Sequence, residues 1–184
     1  MPIVGTGSIL VTNTTANNSM TLTMVNRGNQ ATGTIAAAPG TRSRLLFKDD
    51  AKWNGTVIAN GCAGLVNTDV QTGAEKAAVV KFKNMRMDGE FPIRVWNTEA
   101  ARTNDFIEIS GSVTGSAGGF CGVPMDGRSP KAGDSYRFAT YPASAELPVN
   151  AVPRWRLSSV PHGNSDKVVL VLTYQPPGTT IVLR

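Results

Sequence analysis

The sequence predicts an all-β fold: a single-domain antiparallel β-sandwich or jelly-roll-like barrel covering residues 1–184, with at most one or two short helices. Three observations lead there. Lys167-Val168-Val169-Leu170-Val171-Leu172-Thr173-Tyr174 is apolar on both faces and rich in β-branched types, as a strand buried on both sides requires. Turn signals recur at intervals of about 8 to 15 residues, the spacing of an all-β domain. No internal repeat of about 20–50 residues is evident, which disfavours a solenoid or propeller.

The elements follow in order. Ile3 to Val11 reads as a first strand, weakened by Gly5 and Gly7, and Thr12 to Ser19 as a polar loop. Met20-Thr21-Leu22-Thr23-Met24-Val25 alternates, placing Met20, Leu22 and Met24 on one face. Asn26-Arg27-Gly28-Asn29 is turn chemistry, and Ala31 to Ala37 returns as its hairpin partner. After Pro39-Gly40 come strands at Ser43 to Phe47, Thr56 to Ala59, Gly64 to Val70, Ile93 to Trp96, Asp105 to Val113, Tyr136 to Tyr141 and Trp155 to Val160. Thr179 to Arg184 supplies further strand-like sequence.

Residues 73–87 carry two patterns. Thr72-Gly73-Ala74-Glu75 matches a helix capping box, whereas Ala78, Val80 and Phe82 share a strand face; the β surroundings favour strand. A short helical turn is expected near Thr98 to Arg102.

A chain of 184 residues buries a core without needing a metal or disulfide. Charged residues make up 17%, against the usual ~25%, so Thr, Asn, Ser and Gly carry solubility. The net charge of +5 is spread over small groups, Arg42/Arg44, Lys48/Lys52, Lys81/Lys83/Arg86 and Arg154/Arg156, rather than one basic arm. Such groups attract an anionic partner, glycan or nucleic acid, or serve as solvated strand faces. Cys62 and Cys121 either pair as a disulfide, closing a loop worth ~4 kcal/mol in the chain-entropy model, or remain thiols. Met1-Pro2-Ile3-Val4 shows no export leader, so either the protein is made and used without export or its leader was removed, and no apolar run is long enough to insert in a membrane.

Catalytic chemistry finds little support. His162, the single histidine, sits in a turn-like sequence, so an exposed loop residue is expected rather than a general base. One histidine and two distant cysteines exclude the familiar structural zinc patterns, and no cofactor is expected. The carboxylates Asp49-Asp50, Asp88/Glu90 and Asp105/Glu108 offer acid/base pairs in principle, but turn formation explains Asp88 and Asp126 better. Gly111 to Gly119 lacks the Gly-Lys-Ser/Thr ending of a phosphate loop and reads as a flexible hairpin or contact loop. Trp96 and Trp155 are assigned to the core. Trp53, beside Asn54-Gly55 in an apparent turn, is the candidate exposed ring for ligand contact, with Arg42 and Arg44 as basic contacts. Asn13-Thr14-Thr15, Asn17-Asn18-Ser19 and Asn54-Gly55-Thr56 match the glycosylation sequon.

These readings point to a non-enzymatic structural subunit of a large assembly: a virion coat, tail or decoration protein that self-associates through strand edges and apolar faces. The alternatives are a secreted fimbrial subunit or adhesin, and a carbohydrate-binding module. Val168 to Tyr174 resembles the closing strand of chaperone–usher fimbrial subunits over that strand alone, without their early cysteine pair. The expected location is a virion or extracellular assembly.

Overall fold

The computed structural model describes residues 2–13, 19–25, 27–97 and 102–178, apart from the Arg102 side chain. It contains fifteen strands: β1 (Ile9–Val11), β2 (Met20–Met24), β3 (Thr34–Ala37), β4 (Ser43–Lys48), β5 (Lys52–Ala59), β6 (Ala63–Val66), β7 (Val79–Met87) and β8 (Glu90–Asn97) in the first half. The second half adds β9 (Arg102–Asn104), β10 (Phe106–Ile109), β11 (Val113–Thr114), β12 (Gly119–Pro124), β13 (Ser135–Pro142), β14 (Trp155–Pro161) and β15 (Lys167–Tyr174). No helix occurs among the described residues, and 73–87 resolves as a loop leading into β7. The all-β expectation holds. The helical turn proposed near Thr98, the strand at Thr179 to Arg184 and the sequons begun by Asn13 and Asn17 lie outside the described residues or depend on residues that do.

The pairing is not that of an antiparallel sandwich. One long sheet runs in the order β1-β3-β5-β7-β10-β13-β15-β14, and every pairing from β1 to β13 is parallel. The second wall consists of β2-β4-β6, parallel throughout, followed by β12-β8-β9 with β12 parallel to β8. From β1 to β8 the chain therefore alternates between walls, one strand in each, and advances coil by coil in solenoid-like stacking; beyond β8 it places up to three successive strands in one wall before crossing. Ile9 stands over Ile35, Ile35 over Val57, Val57 over Met85 and Met85 over Val113. The spacing from one coil to the next changes, from Thr34 over Thr56 to Ile107 over Ala139, so no fixed period is present to detect.

Turn chemistry misled for a physical reason. Asp88-Gly89 joins two long strands in the manner of a hairpin loop, yet β7 and β8 belong to different sheets. The turn is a corner, and its strands pair with the coils above and below. Ala31 to Ala37 likewise does not pair back on β2; β3 lies between β1 and β5, while β2 pairs with β4.

Stacked coils bring backbone against backbone, at corners and within β5 alike, and glycine is required where they touch. A Cβ on Gly55 would overlap the Gly33 carbonyl, and one on Gly118 would overlap Gly89. The Gly111 to Gly119 segment is thus no hairpin: Val113–Thr114 form β11 and pair with β7, Gly118 packs against Gly89, and residues 114–117 are exposed. Side-chain amides fasten neighbouring segments to one another. Asn60 Nδ2 donates to Ala37 O at 2.5 Å, Asn67 Nδ2 to Ala77 O at 2.7 Å, and Asn84 Oδ1 accepts from Ser112 N at 3.0 Å.

Between the walls the core runs continuously from Val11 to Leu172. A file of rings passes along it, Phe47 to Phe82 (4.7 Å), Phe82 to Phe91 (6.4 Å), Phe91 to Phe120 (6.3 Å) and Phe120 to Phe138 (4.7 Å). The stack ends in an antiparallel hairpin, β14–β15, in which β15 is hydrogen-bonded on both sides. Leu170 and Leu172 are fully buried and Val169 is nearly so, as the apolar run in the sequence requires. Trp155 closes this end between Tyr136 and Tyr174, lying over Gly122, where any side chain would strike its ring.

Candidate functional site

Alternation along parallel strands sends every second side chain of the long sheet outward, and register then stacks those of successive coils about 4.8 Å apart. Lys52 on β5 stands beside Lys81 on β7, and Lys81 beside Glu108 on β10. Lys81 Nζ reaches Glu108 Oε2 at 2.9 Å. In the next outward row lie Lys83 and Ser110, the latter just past β10; Lys167 enters opposite Pro142 at the start of β15. Together with Asn54 these residues line a cleft of about 260 Å³.

Four lysines and one carboxylate make this cleft cationic. All four are exposed at the surface. Among the described residues, Lys52, Lys83 and Lys167 make no ion pair. Adjacent strands hold like charges close together, so the cleft repels cations and lowers the energy of any anion that enters.

The floor is apolar. Trp53 and Phe82 lie beneath the lysines, with Trp53 fully buried and its Nε1 donating to Gly33 O at 3.0 Å. This overturns the assignment of Trp53 as an exposed contact ring. Asn54-Gly55 is no turn: it is a bulge inside β5, where the register with β7 slips between Trp53 and Thr56. Asn54 Nδ2 is bound to Asn29 O at 2.9 Å, so its sequon carries an amide that already has a partner.

Arg42 and Arg44 do not reach this cleft. Arg42 is exposed at the corner before β4 with φ of 50°. Arg44 is exposed on the second wall, at the rim of a groove of about 300 Å³ shared with Leu46, Cys62, Pro92 and Val123. In sequence these lysines were visible only as Lys52 in one basic group, Lys81 and Lys83 in another, and Lys167 at the head of the closing strand. Register brings them together, and sequence alone does not supply register.

The carboxylate pairs are dispersed among structural partners. Asp49 Oδ1 accepts from Val79 N at 2.7 Å, Asp50 pairs with Arg27, and Asp88 with Arg86. Asp105 is fully buried against Arg94, while Glu108 faces outward from the same segment. Asp69 accepts from Lys76 Nζ and from the backbone N–H groups of Thr72 and Gln71, which hold its carboxyl well below the usual range. His162 is exposed in the β14–β15 turn.

Cys62 and Cys121 are free thiols, not a disulfide. Strand β8 lies between the coils that carry them: Cys121 stands beside Pro92 of β8, and Gly64, two residues after Cys62, meets Pro92 from the other side. Two strand spacings exceed the reach of a disulfide. Cys121 is buried and its Sγ lies 3.7 Å from Glu90 Oε2; burial first, then that carboxylate, pushes its thiol up to about 12. Trp96, assigned to the core, is half-buried on the same face as Arg94, whose guanidinium lies 5.5 Å from the ring centre.

No protein-family model matches the chain, and no curated protein matches it.

Proposed function

We propose that this chain is a non-enzymatic structural subunit of a larger assembly, of the virion kind, that associates with copies of itself through the end of its stack. The carrying observation is the difference between the two ends of the long sheet. At one end β1 pairs with β3 on one side only, and its other edge has no strand partner among the described residues. Around that edge the first coil exposes Val4, Leu10, Met20 and Val25, between 49% and 68% accessible. An unpaired edge flanked by apolar side chains is a template for strand addition. The opposite edge, β14, carries exposed Arg154 and Arg156 beside it and Pro161 at its end, features that discourage pairing. Such asymmetry favours a head-to-head dimer, β1 against β1 about a two-fold axis, as the first step of assembly.

The virion assignment rests on composition: low charge, abundant Thr, Gly and Ala, and strands that reach nearly to both ends of the described chain. The fimbrial alternative loses support because β15 already has a strand of its own chain on each side. Light scattering coupled to size-exclusion chromatography tests the proposal. The wild-type chain is expected to show concentration-dependent dimers or larger species, and Leu10→Lys to shift them toward monomer. A wild-type chain that stays monomeric at high concentration would falsify it. Negative-stain microscopy then distinguishes shells, tubes and fibres.

A further inference from the structure

We infer that the lysine-lined cleft on the long sheet is a binding site for an acidic oligosaccharide, one bearing carboxylate or sulfate groups. The site consists of Lys52, Lys81, Lys83 and Lys167 around Ser110 and Glu108, in a depression of about 260 Å³. That volume is at the small end for ligand pockets, the size of one or two sugar units rather than a larger organic ligand. Three of the lysines have no ion-pair partner among the described residues, so an incoming anion displaces no existing bond from them. Lys81 is different. Its bond to Glu108 fixes both side chains, leaving the carboxylate to accept a hydrogen bond from a ligand hydroxyl and Ser110 to donate or accept one. A saccharide bearing acid groups and hydroxyls on one ring matches that mixture of point cations and neutral or anionic acceptors.

The lining also argues against other anions. Single-stranded nucleic acid is held by exposed aromatic rings on which bases stack, and here Trp53 and Phe82 are at most 1% exposed beneath the lysines. Arginine, whose planar fork matches phosphate in two-point contacts, is absent from the lining. A neutral glycan finds no ring to stack on, so recognition depends on charge. The lysines lie on β5, β7 and β15, with Glu108 on β10 and Ser110 just past it between them, which gives the site the direction of the stack axis and suits a linear polymer lying across the strands.

Calorimetric titration with two probes, an oligogalacturonate tetramer and a heparin-derived tetrasaccharide, tests the inference and separates carboxylate from sulfate as the preferred group. Binding of at least one probe is expected, weakening as salt is raised. The double variant Lys83→Gln/Lys167→Gln is expected to lose at least tenfold in affinity. Arg42→Gln/Arg44→Gln, with the same change in net charge on exposed residues elsewhere, is expected to bind as wild type. The inference is overturned if neither probe binds, if both double variants lose affinity equally, or if a single-stranded oligonucleotide binds more tightly than either glycan. Circular dichroism of each variant verifies that the fold is retained, which exposed and unpaired lysines should allow.

Discussion

Arg94 and Asp105 face each other just past the end of β9 in a two-point ion pair sealed from water. Arg94 Nε donates to Asp105 Oδ2 and a terminal nitrogen to Oδ1, both at 2.9 Å, with Arg94 7% and Asp105 0% exposed. The carboxylate also accepts from the backbone N–H of Ala78 at 2.8 Å and of Arg94 at 3.0 Å. The guanidinium reaches Glu75 and the Lys76 carbonyl as well. One buried pair thereby fastens β8 to the loop that precedes β7. Asp105→Asn leaves the buried guanidinium with only the half-exposed Glu75 as counter-charge and is expected to destabilise by about 3 kcal/mol, the lower end for breaking a buried pair. Replacing both partners by Met and Leu should not restore wild-type stability, because two backbone donors stay unsatisfied. Urea unfolding reads both; a loss below ~1 kcal/mol for Asp105→Asn would show that the pair is not structurally important.

Gly55 tests the close stacking of coils. A methyl group there would overlap Gly33 O and the Thr32 backbone, none of which is a flexible side-chain end. Gly55→Ala is expected to destabilise by at least ~3 kcal/mol or to prevent folding, at the upper end of overpacking effects. Gly7, with nothing within 4 Å of its would-be Cβ, serves as the comparison, and Gly7→Ala should stay within ~0.5 kcal/mol of wild type. Equal melting temperatures for the two variants would mean that the coils are not packed at this distance.

What the sequence made legible and what it hid divide along one physical line. Features fixed by a residue and its near neighbours were readable. The apolar run Lys167 to Tyr174 forms a strand bonded on both sides, Trp155 is inward with Arg154 and Arg156 outward, and His162 lies in a turn. Features fixed by register were not. Asp88-Gly89 looks the same as a hairpin or as a corner, because both need a tight reversal and only the partner strand tells them apart. Strand β12, Gly119–Pro124, escaped notice because glycine and proline are poor strand formers; Gly119 and Gly122 are there to admit Asn150 and the Trp155 ring. Asp105 looked like half of an acid/base pair, since nothing local reveals that Arg94 stands opposite it.

Trp53 carries the clearest reversal, and its burial is measurable. Trp53→Phe keeps most of the apolar bulk but loses the bond to Gly33 O, and should cost about 1 kcal/mol. Trp53→Ala should cost about 3–5 kcal/mol, the range for emptying a large ring site. Acidic-glycan affinity is expected to be unchanged in Trp53→Phe, because the ring lies under the cleft and not in it. Iodide quenching of tryptophan emission in wild type and Trp53→Phe isolates the contribution of this ring. Strong quenching assigned to Trp53 would place it at the surface after all.

The two thiols should differ sharply in reactivity. A thiolate is the attacking species, and Cys121, held at about 12, is almost wholly protonated at pH 8 as well as 8% exposed. Cys62 is half-buried at the rim of the second groove and is expected to take the label first. Iodoacetamide at pH 8 should therefore add one group to the native chain and two after unfolding, read by intact mass. The sign of the pH dependence follows from the same shift. The folded state holds the Cys121 proton more tightly than the unfolded chain, whose thiol ionises near the ordinary 9.0. Its contribution to stability is present in full below about pH 9 and is lost as pH rises from there toward 12. Melting temperature should fall across that window in wild type and fall less in Cys121→Ala, once each curve is referred to its own value at pH 7. Parallel curves, or two labels on the native chain at pH 8, would place Cys121 in contact with solvent and free of Glu90.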